Sequence, residues 1–99
     1  MLYAIVARDI PDSVTARSAT RERHLAYIKR LVDQGRIVLA GPLPAIDCTE
    51  PGPAGMYGSL LIVEFDSLDE AQDWADNDPY LTDGVFEEVI VKPFKQIVP

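Results

Sequence analysis

Apolar positions in the 99-residue chain gather into four strand-like runs and two helical stretches. The first run, Leu2 to Arg8, is apolar on both alternating sets: Leu2, Ala4 and Val6 point one way, Tyr3, Ile5 and Ala7 the other. A strand apolar on both faces needs cover on both. Asp9 to Thr15, with Pro11, carries the turn-forming residues of a loop. Thr20 to Gly35 reads as an amphipathic helix, because Leu25, Ile28, Leu31 and Val32 recur at steps of three and four. Thr15, Ser18 or Thr20 could each cap it, and Gly35 supplies the left-handed turn that ends it.

Arg36 to Ala40 is a second strand, ended by Gly41-Pro42. Pro44 to Gly55 favours no regular structure, since its prolines break both ladders. A loop of that length in a small domain reads as a lid or site wall. Tyr57 to Asp66 is a third strand, with Leu61, Val63 and Phe65 on one face and Leu60 and Ile62 on the other. Ser67-Leu68-Asp69-Glu70 is a capping box opening a helix whose Leu68, Ala71, Trp74 and Ala75 share a face. Asp78-Pro79 stops it, because the residue before proline avoids helical geometry. Gly84 turns the chain into a last strand, Val85 to Val91, and Pro93 to Pro99 is a brief extra strand or a tail.

Strand, helix, strand, strand, helix, strand in one domain predicts an α+β, ferredoxin-like fold. It has a four-stranded antiparallel sheet with two helices on one face. Those helices leave the other face bare, a larger apolar patch than a monomer usually tolerates. A homodimer packed sheet on sheet is the expected remedy.

Sixteen acidic against nine basic residues give a formal net charge of −7. With no basic patch interleaved with aromatics, nucleic acid and anionic membrane surfaces are poor partners. No apolar run approaches a membrane span, and the N-terminus lacks the pattern of a secretory leader. Cys48 is the only cysteine, so no internal disulfide can form. The expected setting is the reducing cytoplasm.

One histidine, one cysteine and scattered carboxylates give no metal-ligand spacing. Asp9, Asp12, Asp76, Asp78 and Asp83 show no spacing that argues for a cation. Without a phosphate-cradling glycine loop or dinucleotide fingerprint, neither metal nor cofactor is expected. The candidate chemistry rests on His24, one turn ahead of Ile28, at the edge of the buried stripe. There it is either a packed core histidine or an acid/base group. Asp78, at the end of the other helix, is either a helix stop or the carboxylate that fixes the tautomer of His24. Ser59, preceded by Gly58, and Gly41-Pro42 are structural or line a pocket. Tyr80 presents its hydroxyl near the site or packs on Trp74. Cys48 has no basic neighbour to activate it and is not read as a nucleophile.

Taken together, Arg21-x-x-His24-Leu25, Gly35, Ala40-Gly41-Pro42, Gly58-Ser59, Ser67-x-x-Glu70-Ala71 and Asp78-Pro79-Tyr80 resemble, in order, the YCII-related domain family. The resemblance implies a dimeric α+β barrel with a His–Asp pair between sheet and helices. It makes His24 the acid/base, Asp78 its orienting partner, and Ser59, Gly41, Pro42 and Tyr80 pocket residues. It further implies proton transfer, isomerisation or elimination on a small cyclic substrate. Alternatives are cofactor-free monooxygenation, a non-catalytic dimeric module that binds a small ligand or partner protein, and a purely structural protein.

Overall fold

In the computed structural model, which describes residues 1–99, β1 (Leu2–Asp9) is a central strand flanked by β3 (Met56–Glu64) and β4 (Phe86–Phe94). The edge strand β2 (Ile37–Pro44) pairs with β3, giving the order β2-β3-β1-β4 with every pairing antiparallel. Helix α1 (Val14–Asp33) links β1 to β2; α2 (Leu68–Asp76) and the single turn α3 (Pro79–Thr82) link β3 to β4. This is the expected ferredoxin-like order.

The pairing register sets which side chains meet. Ile5 lies opposite Leu61 and Val91, Tyr3 opposite Val63, and Ala7 opposite Ser59. The two-residue period therefore turns Tyr3, Ile5, Ala7, Leu61, Val63 and Val91 toward the helices. There all but Ala7 join Leu31, Phe65, Ala71 and Ala75 in one buried core, while Ala7 packs with Tyr80, Val85 and Phe86 in a second. The opposite face carries half-buried Leu60 together with Val6, Leu39, Ile90 and Phe94, which are exposed.

Several boundaries differ from the sequence expectation. Helix α1 begins six residues before Thr20, at Val14 after Ser13. Ser13 makes no capping bond; its hydroxyl donates instead to Asp9 Oδ2 at 2.5 Å. Its buried stripe runs through Thr20, His24 and Leu31, whereas Leu25 and Val32 are 44% and 54% exposed. His24 thus sits inside the stripe, not at its edge. Gly35 does end the helix, with φ +68°. Strand β2 continues through Gly41-Pro42 to Pro44, because an edge strand tolerates a proline whose nitrogen has no ladder partner to serve. Strand β4 likewise runs through Pro93 to Phe94 on the other edge.

Ser67 caps α2, its hydroxyl accepting from Glu70 N–H at 3.1 Å. The Glu70 carboxylate returns to Asp66 N–H at 3.3 Å and to Arg36 at 2.9 Å. Tyr27 ties α1 to α2: its ring stacks on Trp74 and its hydroxyl donates to the Trp74 carbonyl at 2.8 Å. Burial, with the nearby Asp78 and Asp73 charges, pushes the Tyr27 hydroxyl up to about 12. At Gly58 β3 passes so near β1 that a Cβ would fall 1.8 Å from the Ala7 carbonyl oxygen. No helix is long and apolar enough to cross a membrane.

Candidate functional site

The site forms where α1 crosses the β2–β3 side of the sheet. His24 and Asp78 are 7% and 2% exposed, and His24 Nδ1 lies 2.7 Å from Asp78 Oδ1. Pro79 forces Asp78 into extended backbone, φ −62° and ψ 129°, from which it caps α3. The same Oδ1 accepts the Tyr80 N–H at 2.9 Å. Asp78 is therefore both the helix stop and the partner of His24; the two readings of this residue were never exclusive.

Tyr80 stacks on the imidazole with ring centroids 3.7 Å apart and planes 6° from parallel. Phe86 meets the imidazole edge-on at 6.3 Å. Tyr80 therefore packs on His24, and it is Tyr27 that stacks on Trp74. Burial raises the pKa of the Tyr80 hydroxyl, while the Arg17 and Arg21 charges oppose that rise. Packed on one face and bonded at Nδ1, the ring of His24 keeps Nε2 as its free nitrogen. Every fully buried side-chain polar atom has a partner, and Nε2 has none, so it is open to the adjoining space.

That space is a cavity of about 360 Å³. Its polar side is made by Arg17, Arg21, His24, Ser59 and Tyr80; Leu25, Ile28, Val32 and Leu61 form an apolar wall. Ala40, Gly41 and Pro42 of β2 close the remaining edge. Gly41, Pro42, Ser59 and Tyr80 thus lie around one cavity with His24, and Asp78 stands behind the imidazole. The segment 45–55 contributes nothing to this lining, contrary to its expected role as a site wall. It borders a separate, wider concavity of about 880 Å³ that also holds Cys48.

A buried ion pair braces the floor. Arg17 Nε donates to Asp9 Oδ2 at 2.6 Å, and its Nη2 donates to Asp9 Oδ1 at 3.0 Å. Nη2 also reaches the Gly58 carbonyl at 2.9 Å and Ser59 Oγ at 3.0 Å. Sequence reasoning missed Arg17 because it started the helix at Thr20. Carrying the three- and four-residue steps upstream from His24 reaches buried Thr20, half-buried Arg17 and, at the cavity rim, exposed Arg21. The five aspartates considered for a cation do not converge, and no three His, Cys, Asp or Glu residues form a metal-sized group.

A chain of this shape has known relatives. It is 53% identical over 97 residues to Protein YciI of Escherichia coli O6:H1, covering 98% of this chain and 99% of that one. An uncharacterised protein of Haemophilus influenzae is 50% identical over 97 residues, with the same coverage. Among solved structures, 5-chloro-2-hydroxyhydroquinone dehydrochlorinase (TftG) of Burkholderia phenoliruptrix, in complex with 2,5-dihydroxybenzoquinone, superposes with a TM-score of 0.82 and 36% identity. That match covers 96% of this chain and 94% of the enzyme. The YCII-related domain matches residues 1–95. With near-complete coverage by the domain and by relatives of this identity, the chain belongs to the YCII-related domain family.

Proposed function

We propose that this protein is a small-molecule enzyme in which His24 moves a proton on a small cyclic substrate, by elimination or isomerisation. The observation that carries the reading is the buried Asp78–His24 bond at 2.7 Å, which leaves Nε2 facing a cavity of about 360 Å³. Asp78 accepts from Nδ1–H, so Nε2 is the lone-pair nitrogen and can act as a base. In an elimination from a hydroxylated ring, one hydroxyl proton first moves to the carbon bearing the leaving group, giving a keto tautomer. Nε2 then takes a second hydroxyl proton, the O–H pair becomes a C=O bond, the ring π pair shifts toward the saturated carbon, and the leaving group departs with the electron pair of its own bond. In an isomerisation the same proton returns to a different atom. Near-complete alignment with a dehydrochlorinase that binds a dihydroxybenzoquinone supports a ring as the substrate class.

The working form is a cytoplasmic homodimer. Its sheets pack through the uncovered face bearing Val6, Leu39 and Ile90, and the lone, exposed Cys48 suits a reducing setting. Chloride release from 5-chloro-2-hydroxyhydroquinone, alongside deuterium exchange into unchlorinated hydroxyhydroquinone, tests the chemistry. Wild-type protein is expected to turn over at least one of them. His24→Gln should lower kcat by about 10²- to 10⁴-fold, the usual contribution of one positioned acid/base. Asp78→Asn should lower kcat with KM little changed, because it disturbs the tautomer and not the cavity wall. Full activity in His24→Gln would sink the reading.

A further inference from the structure

The cavity's charge is at odds with that of the molecule. Acidic residues outnumber basic ones sixteen to nine in the chain, yet no carboxylate lines this space, whereas two arginines do. Arg17 is neutralised, since Asp9 takes two of its N–H groups and Gly58 and Ser59 share a third. Arg21 is different. It lies one helical turn after Arg17 and one before His24, is exposed at the cavity rim, and makes no ion pair or hydrogen bond within the chain. Its charge is nevertheless felt at the Tyr80 hydroxyl beside the imidazole. Next to Arg21 along the same helix face, Leu25 and Ile28 join Leu61 of β3 in the apolar wall.

We infer that the ligand enters as an anion, a small planar ring bearing an ionised oxygen, and that Arg21 is the residue that recognises that oxygen. This rests on the reading of the cavity as a ring site and adds the charge of its occupant. A bare inorganic anion would engage Arg21 and leave the apolar wall wet. A neutral ring would cover the wall and leave the guanidinium without a partner. An anionic ring satisfies both, and it holds the reacting atoms over Nε2 of His24. Arg21 is also what allows an anion to approach a protein of net charge −7 at this one place.

The test is calorimetric binding of two rings of like shape. 2,5-Dihydroxybenzoquinone, a vinylogous acid ionised in neutral water, is compared with its uncharged dimethyl ether. Wild type should bind the ionised ring more tightly. Arg21→Gln should weaken it about 10- to 100-fold, the worth of a charged hydrogen bond, while changing the ether by less than about threefold. Arg21→Lys should recover part of the loss, and both variants should melt with wild type because the side chain is exposed. Equal affinity for the two rings in wild type, binding of neither, or an Arg21→Gln variant that keeps its preference would overturn the assignment. The acid/base reading is judged separately. Charge preference retained in His24→Gln, with no turnover in wild type, would sink that reading alone. Turnover without charge preference would sink the role of Arg21 alone.

Discussion

Asp9 and Arg17 show how much a single buried residue can hold. The Asp9 carboxylate is 1% exposed and is matched by the Arg17 fork, with the Ser13 hydroxyl completing its partners. Removing the cation would leave a buried charge uncompensated, a loss of about 3–5 kcal/mol where pairs of this kind are broken. Arg17→Met is therefore expected to lower the urea midpoint sharply, with the double variant Asp9→Leu/Arg17→Met recovering most of the loss. A single variant as stable as wild type would show that the pair carries no such weight. At this scale His24, the lone histidine on a helix stripe, and Asp78, marked by the proline after it, could be singled out. Pattern left them, Ser59 and Tyr80 with structural alternatives that only the family resemblance weighed against. Arg17 and Asp9 were not legible. An arginine near a helix start reads as a solvated face, and only a contact eight residues apart makes the two a buried pair.

Among the elements, α1 departs most from its sequence signature. Its core stripe includes Thr20 and His24, polar residues that weaken the apolar period, while the apolar Leu25 and Val32 spend their surface on a cavity mouth. Its N-cap hydroxyl serves Asp9, so the usual start signal is absent. By contrast, Ser67 and Gly35 mark their boundaries through local hydrogen bonds and backbone freedom, which a sequence states openly. The α1–α2 contact adds a pH dependence. The unfolded Tyr27 hydroxyl has the ordinary value near 10 and the folded one is raised to about 12, so the native state binds more protons between them. Stability from this group is complete below about pH 10 and is lost as pH rises through about 12. Denaturant midpoints measured from pH 9 upward should fall through that window, and the fall should be shallower in Tyr27→Phe. An identical slope in the variant would assign the loss elsewhere.

For the whole molecule, the alternation in β1 and β3 was the most informative pattern, because both sets of side chains are apolar but helices cover just one. The other side leaves Val6 at 38%, Leu39 at 48% and Ile90 at 44% exposed. If two copies bury that face, Val6→Glu/Ile90→Glu should convert a sedimenting dimer to monomer, since paired like charges at a desolvated interface are strongly unfavourable. A wild-type chain that sediments as monomer at micromolar concentration would refute the dimer. The reach of the loop 45–55 was the least legible feature at this scale. Its length suggested a wall, but where it passes depends on β2 running on past Gly41-Pro42, which no local signal announced.

Asp78 Oδ1 receives both the Tyr80 amide and the imidazole of His24. One oxygen thus closes a turn and orients a buried imidazole. Unwinding that turn would therefore also release the imidazole from its partner. Replacing this carboxylate would cost the turn its cap as well as the imidazole its partner.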